Sequence, residues 1–259
     1  MLNDLDQLSI SIDGALAQVS LNRPAKRNAI SDALIAQLHT CFINLPDTVR
    51  VVVLDGIGDH FCAGLDLTEL SDHDVAGGIA HSRSWHAAFD AIQSGRVPVV
   101  AVLHGAVIGG GLELACAAHI RVAEDTAFYA LPEGQRGLFV GGGGSVRIPR
   151  LIGLSTMTDM MLTGRVLNAD EGHVAGLSNY RVAPGEGRAR AVEIAGRIAG
   201  NAPMSNFAVV HALPRICGMT QDDGLFVESL VAAVAQGEPL AKERMRNFLA
   251  GKAGKVGQS

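Results

Sequence analysis

Aromatic residues are scarce in this chain: 4% of 259 residues, with one Trp and two Tyr. Proteins that track single-stranded nucleic acid stack bases on aromatic side chains above a basic groove. Here 26 acidic residues outnumber 21 basic ones, giving a formal charge of −5. No basic run is present to follow phosphates, so a nucleic-acid partner is not expected. Cysteine is sparse too. Cys41, Cys62, Cys116 and Cys217 form no CxxC pair and stand at no metal-ligand spacing from histidine. Free thiols in a reducing compartment are therefore expected. The nine histidines contain no HExxH pattern, so no metal is expected. No stretch of about 18 apolar residues occurs, which excludes a membrane-spanning helix. The first residues, MLNDLDQ, are acidic and carry neither an apolar signal core nor an Arg-rich amphipathic segment. Together these absences predict a cytoplasmic protein.

What is abundant is apolar residues, at 48%, and glycine, at 31 positions, against 18% charged residues. That balance fills a sizeable core and suits tight loops. Along the chain, LSISI (8–12) and ALAQVSL (15–21) read as strands around an Asp13-Gly14 hairpin turn. Ser31 is placed to cap a helix through ALIAQLHTCFI, with Asp32 in its first turn. RVVVLDG (50–56) and VPVVAVLHG (97–105) are continuous apolar runs of the kind buried on both faces. Between them a helix is expected over about 79–95, ending at Gly95. After a glycine turn comes the apolar helix GLELACAA, then short strands in HIRVAED and TAFYALPE. Beyond about residue 143 the pattern is helical, broken only by a strand at NYRVAP. Alternating strands and helices predict an α/β core over 1–199. Residues 200–259, with Pro203 near a helix start and amphipathic FVESLVAAVAQ and AKERMRNFLA, read as a helical appendage.

The most informative stretch is Gly109-Gly110-Gly111-Leu112-Glu113-Leu114-Ala115. Glycines after a buried strand let a ligand approach the main chain. Glu113 is the one charged residue on an otherwise apolar helix, so its carboxyl needs partners or a raised pKa. Near the glycine N–H groups it suits proton abstraction beside a carbonyl. It equally suits a packing contact braced by a buried Arg. In a second loop, His60 to Leu67, Gly64 is placed to turn the Leu65 N–H into a site, while Asp66 reads as a helix cap. Glu133, after Pro132, reads by itself as a loop acid.

Taken together, Leu21-Asn22-Arg23-Pro24 with Lys26-Arg27-Asn28-Ala29, Phe61 through Leu67, Gly109 through Ala115, Leu131-Pro132-Glu133, Gly141 through Arg147 and Met161 through Gly164 resemble six motifs of the crotonase (enoyl-CoA hydratase/isomerase) superfamily. They occur in the family's order and spacing from about residue 21 to 164. The resemblance implies stacked ββα turns forming a spiral. It also implies a C-terminal helical region used in oligomer packing and at the edge of the site, and a homotrimer or a hexamer built as a dimer of trimers. It implies an acyl-CoA thioester as ligand, its carbonyl oxygen held by the N–H groups of Leu65 and Gly110, with no cofactor beyond the CoA of the substrate. Lys26, Arg27, Ala63, Gly64, Asp66, Leu67 and Gly109 fall at CoA- and substrate-binding positions. Glu113 and Glu133 match the two acids with which family hydratases add water across a 2,3-double bond. Isomerisation, hydration with cleavage of an arylpropenoyl-CoA, and a non-catalytic CoA-binding scaffold are the alternatives. Thr68, His119, Leu131 and Val140 stand where relatives carry Lys, Asp, Gln and Pro.

Overall fold

Asp13 and Gly14 turn the chain between the first two strands, β1 (Leu8–Asp13) and β2 (Leu16–Leu21), which pair antiparallel. The computed structural model of the chain describes residues 2–69 and 74–252; positions 253–259 of the expected helical appendage lie outside them. Ser31 caps α1 (Asp32–Ile43) by accepting the Leu34 N–H at 3.1 Å. The buried strand β3 (Val51–Gly56) follows. Helix α2 (Val75–Gln93) starts four residues before the expected point, because the Asp74 side chain accepts the Gly77 N–H and offsets the two glycines of the first turn. It ends at Gln93 rather than Gly95, with the Ser94 N–H bonded back to the Asp90 carbonyl.

The next two turns of chain share one plan: a strand, a second short strand, a helix. They run β4 (Val99–Leu103), β5 (Ala106–Ile108), α3 (Gly110–Ala115), and then β6 (Ile120–Glu124), β7 (Phe128–Ala130), α4 (Gly144–Thr163). Helix α4 is broken at Gly153, whose φ is 77°. A two-residue strand, β8 (Leu167–Asn168), then pairs antiparallel with β7. It corrects the expectation of helix broken only at NYRVAP. Two residues are too few to show a period, and the pairing with Phe128 and Tyr129 is what makes them a strand. Helix α5 (Ala169–Ala175), β9 (Tyr180–Val182) and α6 (Gly187–Ala199) complete this part.

First strands of each turn build a six-stranded sheet in the order β1-β2-β3-β4-β6-β9, parallel beyond the opening hairpin; second strands build a smaller sheet, β5-β7-β8. Cys62 extends the small sheet by a parallel bridge to Val107. These are stacked ββα turns wound as a spiral. The large sheet is covered on both faces, which explains the unbroken apolar runs. Val52, Leu54, Ala101 and Leu103 face the main core, while Val51, Val53, Val100, Val102 and Val122 pack on Ala191, Ile194 and Ala195 of α6.

By its contacts the chain divides into two compact units, Met1–Ala199 and Gly200–Ser259. The second comprises α7 (Pro203–Phe207), one π-helical turn (Ala208–Ala212), α8 (Leu213–Ile216), α9 (Gln221–Gly237) and α10 (Pro239–Leu249). Pro203 sits at the start of α7, where a missing N–H costs nothing. Among the described residues no helix is long and apolar enough to cross a membrane.

Candidate active site

Two loops leave the small sheet side by side. Pairing of Phe61 with His104 and of Cys62 with Ala106 sets the first loop against β5. At Gly64 the backbone takes φ 91°, and a Cβ there would lie 2.7 Å from the Ile108 carbonyl oxygen. Only glycine fits both demands. The Gly64 carbonyl and the Asp66 N–H both bond to Ile30, at 2.7 and 2.9 Å. Alternation along extended backbone therefore turns the Leu65 N–H the other way.

The second loop is Gly109 to Gly111. Gly109 has φ 51°, and a Cβ on it would collide with Glu133 Oε1. A Cβ on Gly110 would lie 2.6 Å from the Trp85 ring, and one on Gly111 would strike the Cys62 carbonyl. Gly110 opens α3, so its N–H has no intrahelical acceptor. Among the described residues neither the Leu65 nor the Gly110 N–H donates a hydrogen bond.

One turn further along α3, Glu113 is buried, with 3% of the residue exposed. Its Oε1 accepts the N–H groups of Gly142 and Gly144, at 2.8 and 2.7 Å. The second oxygen is left for the cavity that Glu113 lines. Burial pushes the carboxyl pKa up to about 7, and the Glu133 charge adds to the rise; the two N–H groups and Arg147 oppose it. Glu133 follows Pro132, three residues beyond β7, held where its carbonyl accepts the N–H groups of Arg136 and Leu138. Among the described residues its buried Oε2 has no hydrogen-bond partner. Burial raises its pKa as well, against its own backbone N–H and the Arg136 charge.

Raised pKa values make a stability statement. A carboxyl whose folded pKa is above its unfolded value stabilises the fold below about pH 4.5. That contribution is lost as pH rises through about 7. Ionising Glu113 in the folded protein thus costs about 3 kcal/mol by pH 8–9. Gln keeps an oxygen for Gly142 and Gly144 but carries no charge. Glu113→Gln should match the wild-type melting temperature at pH 4.5 and exceed it by roughly 5–10 °C at pH 8.5. Parallel melting curves across that range would show that Glu113 is not held in a low-dielectric site.

Both glutamates and both loops line one cavity of about 540 Å³, walled by Trp85, Ile108, Leu138, Phe139 and Val140 among others. Of the residues singled out in the sequence, Ala63, Gly64, Leu65, Leu67, Gly109, Gly110, Glu113 and Glu133 meet there. Lys26, Arg27 and Asp66 do not line it. Lys26 is exposed on the short helical turn Pro24–Lys26. Arg27 supports the first loop through its carbonyl, which accepts the Ala63 N–H at 3.0 Å. The Asp66 carboxylate is taken by the Thr68 hydroxyl at 2.7 Å and by Arg23 at 3.0 Å, contacts that hold its pKa low. Its side chain ties the first loop to the Arg23 segment rather than reaching the cavity.

Three contributions were not legible beforehand. Gly142 and Gly144 are the anchors of Glu113, and a Cβ on Gly144 would lie 2.8 Å from that side chain. Trp85 walls the cavity from α2 behind Gly110. His81 and Asp32, 2.9 Å apart, line it too. The signals available were the run of four glycines before Arg147 and a lone Trp on a long helix, and neither points to a partner 30 residues away.

A spiral of ββα turns, with two unengaged backbone N–H groups converging on a cavity that holds buried acids, defines an enzyme fold of the crotonase superfamily. The chain belongs to the enoyl-CoA hydratase/isomerase family, whose model matches residues 11–248. It is similar to a crystal structure from Rhodopseudomonas palustris assigned to the enoyl-CoA hydratases, at 57% identity and a TM-score of 0.94, covering 96% of both chains. It is 32% identical to probable enoyl-CoA hydratase 2, mitochondrial, of Arabidopsis thaliana, over 87% of this chain and 76% of that one. A third relative, from Thermobifida fusca, is also assigned to the enoyl-CoA hydratases and was crystallised in complex with acetoacetyl-CoA. Its identity is 25% and its TM-score 0.83, over 90% of this chain and 96% of that one.

Proposed function

We propose that the protein is an enoyl-CoA hydratase that adds water across the 2,3-double bond of a 2-enoyl-CoA thioester. The observation that carries this reading is the pair of buried carboxyl groups, both raised in pKa, in one cavity with two unengaged N–H groups. Binding of acetoacetyl-CoA by the Thermobifida fusca relative supports a thioester ligand. In this scheme the thioester oxygen accepts the N–H groups of Leu65 and Gly110. Attack at C3 moves negative charge onto that oxygen, and each fixed donor lowers the barrier by about 3 kcal/mol. Glu113, ionised and pinned through Oε1, takes a proton from water as the water oxygen bonds to C3. Glu133, protonated, gives its proton to C2 as the enolate collapses, and proton return from Glu113 to Glu133 resets the pair. Like charges facing one water disfavour double ionisation, which suits one base and one acid. Carboxyl groups move every proton, so the scheme calls for no cofactor.

The main chain of Ala63 to Leu67 would receive the pantetheine and adenine ends, with Lys26 and Arg27 near the phosphates. Incubation with crotonyl-CoA in deuterated buffer tests the reading. Hydration predicts loss of the enoyl absorbance and one deuterium at C2. A double bond shifted to the 3,4 position would indicate an isomerase, and aldehyde release from an arylpropenoyl-CoA a hydratase-lyase. Binding without turnover of any enoyl-CoA would leave a scaffold.

Three buried thiols, Cys41, Cys62 and Cys116, fit a reducing, cytoplasmic setting. Leu225, Phe226, Leu230 and Val234 of α9 and Phe248 of α10 are exposed. Apolar faces of this extent fit burial against further copies of the chain, as a trimer or a dimer of trimers. Light scattering at micromolar concentration should give three or six times the 27.0 kDa of the chain; a monomer mass would refute the assembly.

A further inference from the structure

The scheme gives Glu113 its chemistry but gives no task to Arg147, which ends the glycine-rich motif. Its guanidinium is engaged on two sides. Nη1 donates to the Gly142 carbonyl at 2.9 Å, and Nε donates to Gln93 Oε1 at 2.7 Å. Gly143, in the left-handed region at φ 93°, packs so closely that a Cβ would collide with Nη1. The Gly142 carbonyl lies between the two N–H groups that hold Glu113, those of Gly142 and Gly144. Gln93 is held in turn: its carbonyl oxygen lies 3.0 Å from His119 Nε2, and His119 Nδ1 accepts the Val99 N–H from β4.

We propose that Arg147, backed by Gln93, is a positioning residue for the acid–base chemistry: it fixes the 142–144 loop and so the anchored oxygen of Glu113. A loop of four consecutive glycines has the greatest freedom to lose on ordering. Without a strut, the two donors would not stay aligned on one oxygen. A charge-assisted bond to the carbonyl between them supplies the strut. It also brings a positive charge near Glu113, which favours ionisation of a carboxyl that burial makes reluctant. The other titratable groups facing this pair are Glu133, Asp90 and Cys116. The Cys116 thiol, pushed up to about 11 by burial, stays neutral at working pH.

The proposal assumes that Glu113 is the base of the hydratase reading, so it needs a readout besides turnover. Infrared spectra across pH 5–9, differenced against Glu113→Gln, isolate the titration of that one carboxyl. Arg147→Met should move it up by about one pH unit, and Gln93→Leu should move it the same way by less. In crotonyl-CoA hydration, Arg147→Met should lose about ten- to a hundredfold in kcat, the scale on which a small misplacement of a reacting group slows catalysis. KM should change little, and the acid limb of the kcat profile should shift with the carboxyl. Arg147→Lys should recover part of the rate, since an ammonium reaches the Gly142 carbonyl but not Gln93 as well. If Arg147→Met does not fold, Gln93→Leu and Arg147→Lys decide. A Glu113 titration unmoved in the variants that fold overturns the proposal. If wild type fails to hydrate crotonyl-CoA while the titration still shifts, the hydratase reading falls and the positioning role stands.

Discussion

Glu133→Gln is expected to lower kcat for enoyl-CoA hydration by at least about a thousandfold while leaving thioester affinity within a few-fold. Gln nearly reproduces the shape of Glu, and the carboxyl removed has a buried oxygen with no partner among the described residues, so none of their hydrogen bonds at that atom is lost. What is lost, in the proposed scheme, is the proton for C2. Glu113→Gln should be equally severe for a different reason: the anchor to Gly142 and Gly144 survives, but no base remains to take the water proton. In the proposed scheme the two acids act on one water, so the double variant should be little worse than either single one. Measuring kcat and ligand affinity separately checks this. Near-normal hydration by Glu133→Gln would remove the two-acid scheme and leave enolate chemistry run by Glu113 alone.

Gly110→Pro should fall at least about a hundredfold in kcat below Gly110→Ala, the loss typical of one oxyanion donor. The comparison matters because any Cβ at this position presses on Trp85, 2.6 Å away. Alanine brings that crowding and keeps the N–H; proline brings it and removes the N–H. Proline is compatible with the first helical position, which Gly110 occupies in α3. Circular dichroism establishes that both variants fold, and steady-state kinetics on the same thioester gives the ratio. Equal rates for the two would assign the loss to packing and strip Gly110 of its proposed role.

Much of the fold is written in local signals. The turn at Asp13-Gly14, the Ser31 cap and the buried run of β3 each rest on residues within a few positions of one another, and each forms where expected. Start signals are weaker where glycines intervene: Gly77 and Gly78 disguise the first turn of α2, which the Asp74 cap maintains. Two-residue β8 has no local signal, since only β7 defines it.

The site divides the same way. The sequence by itself determined that a carboxylate would sit on an apolar helix after a glycine turn, since burial of Glu113 follows from its neighbours in the chain. Family-like motifs added Glu133, Leu65 and Gly110, all of which line the cavity. Tertiary structure decided which partners meet these groups. Asp66 meets Arg23, 43 residues away, instead of the cavity. Glu113 meets Gly142 and Gly144 across 29 and 31 residues, instead of a buried arginine directly. Arg147 reaches Gln93 from another helix, 54 positions back. The physical reason is range. Caps, turns and burial periods are fixed by covalent neighbours, whereas the hydrogen bond that satisfies a buried charge comes from whichever backbone the stacked turns bring alongside it.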